Sequence, residues 1–186
     1  MPVVTTKGLV CLLVRRGLYV GRFQPFHLGH LSVIKKILGE VDELVIVIGS
    51  AQYSHNLDNP FTAGERLMMV RSALEEAGVD LKRVWIVPVP DVNLHMMWVA
   101  EVDGYTPQFR AVYSNEPLTQ RLFKEAGYKV KPIPYYDRKT YNSTQIRAKM
   151  MKGQDWKKLV PKTVSKLIQE IDGTNRLKDL HKTDKP

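Results

Sequence analysis

Apolar positions along the chain follow two rhythms, one continuous and one recurring every three to four residues. "LYVGRF" at 18–23 reads as a strand, and "ELVIVIGS" at 43–50 as a strand buried on both faces. "RVWIVPV", "FRAVYSN" and "YKVKPIP" supply three more, the last weakened by its prolines. Helical patterns fill the gaps. "GHLSVIKKILGE" puts Leu31, Ile34, Ile37 and Leu38 on one face. "TAGERLMMVRSALEEAG" opens with a Thr62–Glu65 capping-box pattern and can end at Gly78. A short helix is predicted around Trp98, another over "EPLTQRLFKEAG", and two last ones over "STQIRAKMMKG" and "PKTVSKLIQEI". From Gly173 the chain turns polar and is predicted to fray or to meet a partner.

Strands alternating with helices imply right-handed crossovers and an α/β fold: a doubly wound, Rossmann-like parallel sheet of about five strands. The expected organisation is an N-terminal extension at 1–16, one domain at 17–172 and a polar tail at 173–186. Ligands of such sheets bind beyond the carboxyl ends of the strands, at the switch point. That edge gathers the loops at 21–30, 49–56, 88–95 and 114–117.

Composition narrows the classes. With 186 residues, 44% hydrophobic and 25% charged, the chain is an ordinary globular one. A net charge of +9 and a pI near 9.6 favour anionic partners: nucleic acid, an anionic membrane surface or phosphorylated small molecules. A single cysteine, Cys11, excludes an intrachain disulfide framework and suits a reducing, cytoplasmic setting. No run approaches ~18 uninterrupted apolar residues, which argues against a spanning helix. "GLVCLLV" precedes Arg15 and Arg16 and lacks a small-residue cleavage site, so it reads as an added strand or hairpin arm, with a signal peptide as the weaker alternative.

The chemistry concentrates in "YVGRFQPFHLGH". A strand ends, and a helix begins near Gly29, so free N–H groups and the positive helix end face outward. His27 and His30 can each donate to a phosphate oxygen, Arg22 can fork onto another, and Gly29 permits close approach. Other readings compete: metal ligation, although no Cys or carboxylate stands at a suitable spacing, and satisfied structural histidines. A dinucleotide fingerprint lacks its G-x-G-x-x-G.

These residues also carry a resemblance. "GRFQPFHLGH" resembles the H-x-G-H signature of the nucleotidylyltransferase superfamily, and "YNSTQIR" its second signature. "SAQYSHNLDNPFTAGER", "DVNLHMMWV" and "YSNEPLTQRLF" are similar to the archaeal type of nicotinamide-nucleotide adenylyltransferase. The resemblance implies transfer of the ATP adenylyl group to nicotinamide mononucleotide, giving NAD and pyrophosphate, with Mg²⁺ arriving on the ATP. It also implies a homo-oligomer, with a hexamer as one form. His27, His30 and Arg147 become the catalytic set, stabilising the transferring phosphoryl and clamping the ATP phosphates. Gly21, Arg22, Phe23, Gly29, Asn115, Ser143 and Thr144 would hold ATP; Phe61, Arg66, His95 and Trp98 would hold the mononucleotide, with Trp98 stacking on its cationic ring. No protein-held metal is implied.

Plainer roles stay open: N-capping for Ser143 and Thr144, a surface helix for Arg147, core packing for Trp98, and turn, cap or surface ion pair for Phe61, Arg66 and Asn115. Asn142 and Ser143 depart from the family's usual Ser and Gly, and His95 stands where a small amide is expected. Rival functions are a pantetheine-phosphate or cytidylyl transferase sharing both signatures, and a basic nucleic-acid-binding module. The second lacks any stacking platform or binding motif.

Overall fold

The central strands owe their place to unbroken apolar sequence. In the computed structural model, which describes residues 14–92, 94–133 and 140–183, five parallel strands form one sheet in the order β3-β2-β1-β4-β5. They are β1 (Arg16–Gly21), β2 (Glu43–Ile48), β3 (Val84–Pro88), β4 (Ala111–Tyr113) and β5 (Lys129–Lys131). Leu18 pairs with Val45 on one side and Val112 on the other, so β1 is central and the order reverses between β1 and β4. The alternation along β2 feeds two cores. Leu44, Ile46 and Ile48 enter one, Val45 and Val47 the other, and all five are fully buried.

Seven α-helices cover the faces among the described residues: α1 (Leu28–Leu38), α2 (Ala63–Glu76), α3 (Trp98–Tyr105), α4 (Pro117–Glu125), α5 (Ser143–Met151), α6 (Lys162–Glu170) and α7 (Gly173–Thr183). Helices α1, α2, α5, α6 and α7 close the larger core, while α3 and α4 close the smaller one around Phe109 and Phe123. The predicted elements recur with shifts of a few residues at their ends. Ahead of α3, His95–Met97 form a 3-10 turn rather than a first turn of helix.

The stretch from Gly173 corrects the expectation of a frayed polar tail. It is helix α7, with Leu177 fully buried and Arg176 forked onto Glu65 at 2.8 and 2.9 Å. Its anchors are scattered single contacts, Leu177 in the core, Gly173 against Phe61 and Arg176 on Glu65 and Pro60 O, and these leave little apolar periodicity to read. Of the expected N-terminal extension, residues 1–13 lie outside those described; Arg16 already opens β1.

Candidate active site

A cavity of about 780 Å³ opens at the carboxyl ends of the strands, across the β1/β4 switch point. Its walls come from the loops after all five strands and from the start of α5. The loop after β1 is built tightly. Phe23 sits at φ 53° and folds its ring over Gly21, where a Cβ would come within 2.8 Å of that ring. The Phe23 ring then meets His30 edge-on, centroids 4.9 Å apart.

His27 and His30 cap α1 reciprocally. The His30 backbone N–H donates to His27 Nδ1 at 3.2 Å, and the His27 N–H donates to His30 Nδ1 at 3.3 Å. This is a capping box made of imidazoles, with the rings stacked 3.5 Å apart. It fixes the tautomer: each Nδ1 must offer a lone pair, so each neutral ring carries its proton on Nε2. Both rings line the cavity, each with one N–H donor to give. Burial pushes His27 down to about 4 and His30 well below the usual imidazole value, the latter helped by its neighbour. Both are therefore neutral donors at physiological pH. Gly29 between them is obligatory for packing, since a Cβ there would meet Tyr141 Cβ at 2.8 Å and His27 Nδ1 at 3.1 Å.

Cations flank the pair. Arg22 is exposed on the cavity wall. Arg147, buried on α5, donates to Gln24 O at 2.9 Å and faces Asp58 at 3.3 Å, and burial holds its pKa below the usual guanidinium value. Asp91, after β3, accepts from the Ser50 N–H at 3.1 Å and hydroxyl at 2.6 Å, tying two lining loops together. Trp98 forms the far wall and leans edge-on against Phe123 at 5.5 Å.

A cytidylyltransferase-like family profile matches residues 18–149. The nicotinamide-nucleotide adenylyltransferase of Saccharolobus solfataricus is 53% identical over 170 residues, 91% of this chain and 99% of that protein. The Archaeoglobus fulgidus protein of the same name is 52% identical over 169 residues, covering 89% and 97% of the two chains. The chain belongs to the cytidylyltransferase-like family, with the archaeal-type nicotinamide-nucleotide adenylyltransferases. A solved structure, a bifunctional NMN adenylyltransferase/ADP ribose pyrophosphatase from Francisella tularensis complexed with AMP and an Mn ion, matches with a TM-score of 0.74 at 27% identity. The match covers 90% of this chain, which spans about half of that one, 52%.

Within this adenylyltransferase-type fold, the two signatures meet in one cavity although 118 residues separate Pro25 from Ser143. Gly21, Arg22, Phe23, His27, Gly29, His30, Trp98, Asn115, Ser143, Thr144 and Arg147 all line it. Their hydrogen bonds refine the expected roles. The Ser143 hydroxyl donates to Pro25 O, and Asn142 rather than Ser143 or Thr144 caps α5, accepting from Thr144 N and Gln145 N. Asn115 is held by the main chain of Ile133 through two bonds.

Three expected mononucleotide contacts lie elsewhere. Phe61 is fully buried in the larger core, its main chain clamped by Gln24 at 3.0 Å. Arg66 is also fully buried, and its guanidinium is occupied by loop carbonyls. His95 stands exposed on the 3-10 turn, outside the cavity lining. Gln24, Ser50, Asp91 and Tyr141 are among the further lining residues that stand outside the expected set. Each lies in a stretch already placed at this edge: Gln24 in the H-x-G-H loop, Ser50 and Asp91 in the loops at 49–56 and 88–95, and Tyr141 at the head of the second signature.

Proposed function

We propose that this protein joins ATP and nicotinamide mononucleotide into NAD and pyrophosphate. The observation that carries the reading is the imidazole pair: two neutral Nε2–H donors at a helix N-terminus, in a cavity that also holds Arg22 and Arg147. An oxygen of the mononucleotide 5'-phosphate attacks the ATP α-phosphorus in line. The new P–O bond forms as the bond to the β-bridging oxygen breaks, and pyrophosphate departs with that electron pair. The nucleophile is already ionised, since the second phosphate pKa is ~6, so no general base is needed. Mutual repulsion of the anions is the obstacle, and fixed donors and cations are what lowers it.

In this reading His30 donates to the α-phosphoryl oxygens and His27 to α or β oxygens. Arg22 and Arg147 hold the outer phosphates. Thr144 offers its hydroxyl, because that of Ser143 is engaged. Trp98 stacks on the pyridinium ring. A magnesium ion arriving with ATP, as part of the substrate, would supply positive charge against the departing pyrophosphate. Among the described residues no three His, Cys, Asp or Glu side chains converge into a metal cage. Cytoplasmic action and assembly into a homo-oligomer belong to the same reading; among the described residues no helix is long and apolar enough to cross a membrane.

The test is pyrophosphate release from ATP with nicotinamide mononucleotide, phosphopantetheine or glycerol phosphate as acceptor. Turnover with the pyridine nucleotide alone is expected. Turnover only with another acceptor refutes the substrate assignment, and salt-dependent DNA or RNA binding without pyrophosphate release would favour a nucleic-acid module.

A further inference from the structure

Behind the cavity wall lies a guanidinium that touches none of the lining space. Arg66 donates from Nε to Thr62 O at 3.2 Å, from Nη1 to Arg22 O at 3.0 Å and Gly49 O at 2.8 Å, and from Nη2 to Ser50 O at 3.0 Å. Three of those carbonyls belong to Arg22, Gly49 and Ser50, which line the cavity from two different loops. Gly49 N–H also donates to Gly21 O at 3.0 Å, so the two loops are fixed to each other at two levels.

Arg66 forms no salt bridge among the described residues. Asp91 is engaged with Ser50 and Glu65 with Arg176, and both act on the guanidinium only at a distance. Burial pushes its pKa down to about 10, which leaves it protonated at neutral pH. A buried cation without an ion-pair partner is costly, and packing alone would favour an apolar residue. Four carbonyls in a fork geometry account for the residue type. They do not account for retaining a charge without a direct ion-pair partner beside a cavity whose charged and donor lining is Arg22, Arg147 and two imidazoles against Asp91 and Glu116. A low-dielectric wall carries the field of such a charge into the cavity better than water would.

We infer that Arg66 is a positioning residue of the nucleotide site: it sets the loops after β1 and β2 against each other, and its charge favours polyphosphate in front of them. The inference rests on the proposed adenylyl transfer. Its test compares the full-length protein with Arg66→Met and Arg66→Lys by thermal melting, by calorimetric titration with ATP and with adenosine, and by pyrophosphate release. Arg66→Met removes the charge at similar volume; ATP affinity should fall roughly tenfold or more while adenosine affinity shifts less than about threefold. Arg66→Lys keeps the charge but not the fork; ATP affinity should stay within about threefold while kcat falls on the order of 10²-fold. Equal losses for ATP and adenosine in Arg66→Met, or a wild-type kcat in Arg66→Lys, overturn the inference. Should Arg66→Met fail to melt cooperatively, the Lys variant decides through its split between affinity and kcat. A wild-type protein that releases no pyrophosphate refutes the proposed function instead, and the contrast between ATP and adenosine still tests Arg66.

Discussion

Removing the His30 ring takes away one Nε2–H donor and half of the reciprocal cap on α1. His30→Ala is therefore expected to lower turnover by about 10²–10³-fold, the scale of a lost transition-state donor. Near-wild-type pyrophosphate release would remove His30 from the mechanism. The same cap sets an acid limit. His27 titrates near 4 in the folded protein, below the ordinary ~6.5, so the unfolded chain binds more protons between those values. The stability is complete above pH ~6.5 and is lost as pH falls towards 4, by about 3 kcal/mol from His27 alone. His27→Asn, which can still cap through its side-chain oxygen, should flatten that decline in a pH series of thermal melts. An unchanged slope would show that the decline has another source. Residue types were legible here: two histidines around a glycine at a helix start point to phosphate. Their mutual capping was not, because imidazoles lie outside the usual Ser, Thr, Asp and Asn set.

Elements carry the site through their first turns. Thr62 accepts from Glu65 N at 3.2 Å while Glu65 accepts from Thr62 N at 2.8 Å, and the next residue of α2 is Arg66. Thr62→Ala is expected to cost about 1 kcal/mol in denaturant unfolding and to raise the KM for ATP, because Arg66 leaves from that turn. A stability loss with KM unchanged would uncouple cap from cavity. This capping box was readable from Thr62 and Glu65 alone. The inward turn of Phe61 and the burial of Arg66 were not, since both depend on partners 37 and up to 44 residues away. At α5 the cap was open to Asn142, Ser143 or Thr144, all residue types that cap helices, and only the backbone conformation at Asn142 selects it.

At the scale of the molecule, the alternation of strand and helix patterns implies a doubly wound parallel sheet with its ligand edge at the carboxyl ends of the strands; that the order reverses between β1 and β4 emerges only from the strand pairing. The C-terminal helix escaped that logic because its anchors are scattered and mostly polar. Leu177 is fully buried, and Arg176 also reaches Pro60 O at 3.2 Å. Leu177→Ala should cost about 2–5 kcal/mol in unfolding experiments, and a variant as stable as the parent would mean that α7 contributes nothing to the core.

That anchorage has a temporal side. Ribosomes deliver the chain from the amino end, so the H-x-G-H loop, the central strands and Glu65 are all made long before Arg176. The grip of α7 on the turn that carries Arg66 can thus form only after the H-x-G-H loop and the central strands have left the ribosome, so the wall behind the cavity is locked from the chain's later half.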